Sequence, residues 1–373
     1  MVEVEPEALT RVRFCGPAIP AATNGLVRAL VEGSIGPGAI TKQAAEWLRS
    51  YTKSPYVLMT TSGTVALYVI AKTLRAKHMP GPEAKALLPA YGIAATANAF
   101  AHAQWPLEFV DIDDTGCMSY KALEAAWRPE HQVVVFVNFS GNTPSSLRLI
   151  RNFCRARSVT LIEDAACGLG HWSAGAGGRK HAGTLGRMGA LSFSVPKIVT
   201  SGQGGAVLFA NSQDYEYARD LIDHGDADRV GNSKFPGLNL RLPDPLSAML
   251  LEQFHNLDAI LAHKAETYKA MSAGVVMLAS KSGTPLHNIT FSLKRNALAR
   301  ELNNKGIEAR TQYGLVPEHT AYKRSKHNDY TTARRWHNTA LYLPFGIGMT
   351  LAEAQHVNAV LKASIDTLAR NDQ

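Results

Sequence analysis

Between residues 56 and 164 short apolar runs alternate with stretches of helical spacing, and this alternation narrows the possible folds more than any other feature of the chain. The apolar runs cover residues 56–59, 84–89, 107–111, 133–137 and 159–164. The spacing between them predicts helices over 65–76, 93–102, 120–127 and 145–156. Strands and helices in this order imply an α/β fold with a mainly parallel sheet and right-handed crossovers. In such a sheet ligands bind in the crevice outside the carboxyl ends of the strands. The run 159–164 places Glu163 and Asp164 at one of those ends.

A second group stands further along, in Ser192-Phe193-Ser194-Val195-Pro196-Lys197-Ile198-Val199. A lysine among apolar residues loses hydration, which favours its neutral, nucleophilic amine. A glycine-rich turn, Gly202-Gln203-Gly204-Gly205, follows it. Upstream, the strand 56–59 runs into Thr61-Ser62-Gly63-Thr64 and then a helix. The first N–H groups of a helix lack internal partners, so this turn is an anion site, with an ordinary helix cap as the plain alternative. A carboxylate to face a pyridinium nitrogen, a lysine to form a Schiff base and a phosphate cradle together are what pyridoxal phosphate (PLP) requires of a protein.

The 373 residues exceed one ordinary core, which predicts two packed lobes, 1–255 and 256–373. A long helix opening near Pro243 and running past Ile260 is expected to connect them, followed by a smaller α+β lobe. Hydrophobic content of 46% with 19% charged residues describes a folded chain. The acidic start, Met1 to Pro6, has no apolar signal core, and no stretch is apolar enough to span a bilayer. Cys15, Cys117, Cys154 and Cys167 lack metal-ligand spacing and read as reduced thiols, so a cytoplasmic location and no metal are expected. The net charge of +8 is spread along the chain; Lys323 to His327 and Arg334-Arg335 are its densest clusters. They read as solvated faces or as a field that draws an anionic substrate, not as a nucleic-acid arm.

With these pieces in order, the chain resembles the DegT/DnrJ/StrS sugar aminotransferase family of fold-type I PLP enzymes, which share the aspartate-aminotransferase-like fold. The resemblance is carried by Ser62-Gly63-Thr64-Val65-Ala66-Leu67, Glu163-Asp164-Ala165-Ala166, the stretch from Ser192 to Lys197, Gly202 to Gly205 and Gly237-Leu238-Asn239-Leu240-Arg241. It implies that Lys197 forms the Schiff base and shuttles the proton, and that Asp164 keeps the pyridine nitrogen protonated. Ser62, Gly63, Thr64 and Ser192 would hold the phosphate, and Asn239 would reach the cofactor of a partner subunit, making the protein a homodimer. His224, Arg241, His319 and Tyr322 fall at positions expected to line the substrate site. Three positions depart from the family pattern. Ile93, with Tyr91 nearby, stands where an aromatic stacks on the ring, Cys167 where Gln or His is usual, and Arg187 where Asp is usual.

The implied reaction moves an amino group from L-glutamate or L-glutamine to a ketone, most often on a nucleotide-linked deoxysugar, with the cofactor cycling through pyridoxamine phosphate (PMP). Amination of a cyclitol or another natural-product ketone, a non-transaminating PLP reaction, and a regulatory or binding role on the same fold are the alternatives. Retention of Lys197, Asp164 and Ser192 weighs against the last.

Overall fold

The computed structural model describes residues 11–16, 22–78, 81–173, 178–228, 231–323 and 329–370. The acidic start and residues 324–327 of the basic cluster lie outside the described residues. Helices α1 (Ala22–Val31) and α2 (Ala39–Thr52) precede the alternating stretch. That stretch then runs β1 (Tyr56–Thr60), α3 (Gly63–Lys77), β2 (Lys85–Pro89), α4 (Ala95–His102), β3 (Leu107–Val110), α5 (Tyr120–Ala126), β4 (His131–Val137), α6 (Ser145–Ala156) and β5 (Thr160–Asp164). Strands β6 (Met188–Ser192) and β7 (Gly205–Phe209) complete the sheet, and α7 (Ser212–Ile222) follows. The sheet order is β1-β7-β6-β5-β4-β2-β3. All neighbours are parallel except β7, which is antiparallel to both β1 and β6.

The strands are short and buried almost throughout, as a sheet covered on both faces requires. Two-residue ribbons join Tyr91–Gly92 to Gly314–Leu315 and Trp172–Ser173 to Lys180–His181.

The expected single connecting helix is two. α8 (Asp244–His255) ends at Asn256, and α9 (Leu257–Ser272) starts anew behind it. Asn256 spends its amide on the carbonyl of Glu252, a competing bond that interrupts the helical ladder. The chain continues through β8 (Asn288–Phe291), α10 (Arg295–Asn304), α11 (Thr331–Thr339), β9 (Ala340–Leu343) and α12 (Leu351–Arg370). A second apolar cluster gathers Met271, Leu298, Leu302, Leu341, Leu343, Val357 and Leu361, and Val12 joins it. Val12 bridges to Ile307, and the Phe14 N–H donates to Glu308 Oε2 at 2.9 Å, so residues 11–16 lie against the C-terminal half. Among the described residues no helix is long and apolar enough to cross a membrane.

The sequence offers Thr41 as the cap of α2, and the structure does not use it. Thr41 lies inside the helix, and the cap comes from Asp244, whose carboxylate accepts from the N–H groups of Gly38 and Thr41 at 2.8 and 2.9 Å. A carboxylate at a helix start satisfies orphan donors and the dipole together. The bond ties the start of α2 to the start of α8.

Candidate active site

Asp164 is the last residue of β5, paired on either side with Val137 of β4 and Ala190 of β6. Its carboxyl is buried. Oδ2 accepts a hydrogen bond from Thr96 Oγ1 at 2.5 Å and Oδ1 accepts from the Ala166 N–H at 3.1 Å. Burial raises its pKa above the usual carboxylate value; the two hydrogen bonds and the Lys197 charge oppose that rise in part. A carboxylate in this position is stabilised further by any cation brought to face it. Glu163, next to it, points the other way and accepts from the N–H groups of Gly183, Leu185 and Gly186. It holds the turn before β6 and takes no part in the site.

Lys197 stands on the loop between β6 and β7. Its N–H donates to Ser194 O at 3.0 Å, and Thr200 beyond it is fastened to Gln253 of α8 by two bonds of 3.0 and 2.7 Å. The loop is thereby braced on both sides of the lysine. Its half-buried amine reaches Cys167 Sγ at 3.2 Å.

Close backbone approach explains the glycines. A Cβ on Gly63 would lie 2.6 Å from Ser192 Cβ, and one on Gly205 would lie 2.4 Å from the Ser62 carbonyl carbon. Both distances are shorter than real side chains allow, so bare backbone lets the start of α3 settle against the ends of β6 and β7. The Ser192 hydroxyl therefore sits at the first turn of α3. Ser62 caps that helix, its Oγ accepting from the Val65 N–H at 3.1 Å, which leaves the N–H groups of Gly63 and Thr64 without intrahelical acceptors. A helix start with a second hydroxyl beside it binds a phosphate.

The lysine amine, the buried acid and this anion cradle all lie at the crevice end of the sheet, and they fit PLP in the donor types it needs. Ile93 is 57% exposed beside Gly92, an apolar surface against which a ring can pack. Tyr91 takes no such place: it is buried, and its hydroxyl meets that of Tyr342 at 2.9 Å. Arg187 is occupied with Asp214, its Nε donating at 2.7 Å, away from the lysine.

The remaining expected residues fall into two outer groups. His224 is exposed with φ of 59°, Asn239 is exposed and accepts from Arg241 Nε at 3.2 Å, and Arg241 pairs with Asp223 at 2.8 Å. This strip lies beside the end of β1, where the Thr61 N–H donates to Leu240 O. None of these three hydrogen-bonds or ion-pairs with Lys197 or Asp164 within one chain. His319 and Tyr322 sit on the loop before α11; the Tyr322 hydroxyl donates to Asn98 of α4, and its ring packs on Phe109. Neither hydrogen-bonds to Lys197.

Sequence reasoning missed several groups. Thr96, a lone hydroxyl among the alanines that open α4, is the direct support of Asp164. His287 and Tyr313 face the site from the C-terminal half, Tyr313 Oη lying 3.4 Å from His287 Nε2. Burial holds the imidazole neutral, with the charges of Lys197 and Lys264 acting in the same sense. Burial also raises the Tyr313 phenol, assisted by Cys167, Tyr91 and Asp164 nearby. Lys264 of α9 is the lysine that the interior fully encloses: burial lowers its pKa to about 7, and Nζ donates to Asn288 Oδ1 at 3.1 Å. It lines a small cavity together with Cys15, Gln253 and the Lys197 stem.

Comparison with known proteins agrees with this geometry. The model of the DegT/DnrJ/EryC1/StrS aminotransferase family matches residues 20–362. A Streptomyces kanamyceticus protein assigned as L-glutamine:3-amino-2,3-dideoxy-scyllo-inosose aminotransferase is 29% identical over 272 residues, covering 70% of this chain and 62% of its own. The chain thus spans less than two thirds of the first such relatives it matches. UDP-4-amino-4,6-dideoxy-N-acetyl-beta-L-altrosamine transaminase of Campylobacter jejuni is 25% identical over 372 residues, 93% of this chain and 95% of that one. In fold, the chain is similar to Helicobacter pylori PseC, an aminotransferase of pseudoaminic acid biosynthesis. That match has a TM-score of 0.88 at 18% identity and covers 96% of this chain and all of the other.

Proposed function

The chain belongs to the DegT/DnrJ/EryC1/StrS aminotransferase family, whose members depend on PLP, and on that premise we propose that it transfers an amino group from L-glutamate or L-glutamine to a ketone, foremost that of a nucleotide-linked keto-deoxysugar. The observation that carries the reading is the convergence of the Lys197 amine, the buried Asp164 carboxyl and the start of α3 at one end of the sheet. Bound PLP supplies the aldehyde that receives the amino group and a ring that withdraws electrons. Lys197 Nζ takes the proton from the donor's Cα and returns it during the half-reaction with the ketone. Asp164 would keep the ring nitrogen protonated. Gly63, Thr64 and Ser192 would hold the phosphate, and Ile93 and Cys167 would lie against the ring.

Asn239, exposed in one chain, would complete the site of a second copy, with His224 and Arg241 beside it, so the working unit is a homodimer. His319 and Tyr322 belong to the acceptor side. The division into lobes at 255/256 coincides with the break between α8 and α9 and belongs to the same proposal, as does a cytoplasmic location. The net charge of +8 favours a phosphorylated acceptor. A second reading, a cyclitol acceptor, is favoured by the name of the Streptomyces relative.

The test is the absorbance spectrum of the protein with PLP, before and after L-glutamate or L-glutamine. A visible band that bleaches on adding either donor, and that Lys197→Ala does not form, is the expected result. A band indifferent to both donors would refute the donor assignment, and no band would refute the reading.

A further inference from the structure

The contact between Lys197 Nζ and Cys167 Sγ, 3.2 Å across two braced loops, serves no step of the transamination. The four thiols are not equivalent. Cys117 and Cys154 are buried, and burial pushes both up to about 12, which makes them inert. Cys15 is half-buried; burial raises its pKa, and its sulfur lies 4.0 Å from the Val195 carbonyl oxygen. Cys167 is half-buried, three residues past the end of β5, and is the one whose sulfur touches an amine.

We propose that Cys167 and Lys197 form an oxidative modification site, in which a peroxide couples Sγ to Nζ as a sulfenamide and removes the amine that captures the cofactor. In the first step the thiol gives two electrons to the peroxide O–O bond, yielding a sulfenic acid and water. In the second the Lys197 lone pair attacks sulfur, the S–N bond forms, the S–OH bond breaks, and hydroxide leaves as water with an amine proton. One peroxide is consumed and two waters are released; two thiol groups reverse the link, the first freeing Lys–NH2 with a mixed disulfide on Cys167 and the second restoring Cys–SH as the two leave joined in a disulfide. Rotation about the lysine stem closes the gap, so neither loop has to move. Bound cofactor occupies the amine, so the loaded protein resists and the empty protein is the sensitive form. The formation of the link rests on geometry alone; its effect on cofactor capture rests on the proposed role of Lys197.

The experiment treats cofactor-free and PLP-loaded protein with hydrogen peroxide and maps the peptides by mass. Empty protein is expected to show the Cys167 and Lys197 peptides joined, two hydrogens short of their sum, with at least a tenfold loss of PLP capture that dithiothreitol restores. Loaded protein is expected to show neither. Cys15→Ser should behave as the parent, and Lys197→Gln should oxidise at Cys167 without cross-linking. A Cys15–Cys167 disulfide, or sulfinic acid at Cys167 with no joined peptide, overturns the proposal. A joined peptide with undiminished PLP capture leaves the link standing and overturns the assignment of Lys197 as the cofactor lysine.

Discussion

Replacing Thr96 with Val removes one hydroxyl and keeps the shape, which isolates the bond to Asp164. In the parent that carboxyl is buried, with two donors, Thr96 Oγ1 at 2.5 Å and the Ala166 N–H at 3.1 Å. A hydrogen bond to a charged group contributes about 1.5–3 kcal/mol, against about 1 kcal/mol for a neutral one. Because burial raises the folded-state pKa of Asp164, the native protein binds the proton more tightly than the unfolded chain does. Its contribution to stability is therefore greatest at acid pH and is lost as pH rises through the folded value. Thr96→Val makes the ionised form still less favourable, so the variant should lose about 1.5–3 kcal/mol at pH 8 and only about 1 kcal/mol near pH 4. Urea unfolding of the cofactor-free protein at the two pH values, at fixed protein concentration, measures the difference. Thr96→Ser, which keeps the donor, should restore most of the loss. Equal deficits at both pH values would show that the hydroxyl does not support an ionised carboxylate, and the reasoning would be refuted.

Gly63→Ala should push Ser192 from the start of α3, since the new Cβ would lie 2.6 Å from Ser192 Cβ. PLP affinity should fall tenfold or more, about 1.4 kcal/mol, while affinity for pyridoxal, which lacks the phosphate, stays within a few-fold; equal losses for both ligands would contradict the cradle. Lys264→Met should stabilise the protein near pH 7. The folded pKa of about 7 lies below the ordinary value of 10.5, so the unfolded chain binds more protons across that window and the parent gains stability as pH rises. The advantage of Met, on the order of a few kcal/mol at pH 7, should shrink toward pH 10; a pH-independent difference in unfolding free energy would count against a depressed lysine.

The parallel part of the sheet was readable because each strand and helix there carries its own periodicity; the helix expected over 145–156 is Ser145–Ala156 in the structure. Lys197 and Asp164 were readable because a charged group in an apolar run is locally anomalous. What escaped depends on packing across the chain. Thr96 meets Asp164 across a sequence separation of 68, and Asp244 caps α2 from about 200 residues away. Neither has a local signature. Lys264 sits in a helix whose sequence gives no hint that the lysine faces inward. Asn256 breaks a pattern that is apolar on both sides of it, so periodicity alone read through the break.

One reversed strand in the sheet has a consequence for how the crevice is furnished. In a wholly parallel sheet each strand delivers one chain segment to the working rim and then leaves by a helix toward the far side. Here β6 arrives at that rim with Ser192, and β7 departs from the same rim at Gly205, opposite both Ser192 and Thr60. The segment bearing Lys197 is therefore tethered at both ends to one edge and spans a short arc instead of a traverse of the molecule. A lysine on such an arc is confined by two adjacent anchors, so its travel is limited to its own side chain. Insertions between residues 193 and 204 should accordingly be far more disruptive than insertions of the same length in the crossovers that lead to the opposite rim.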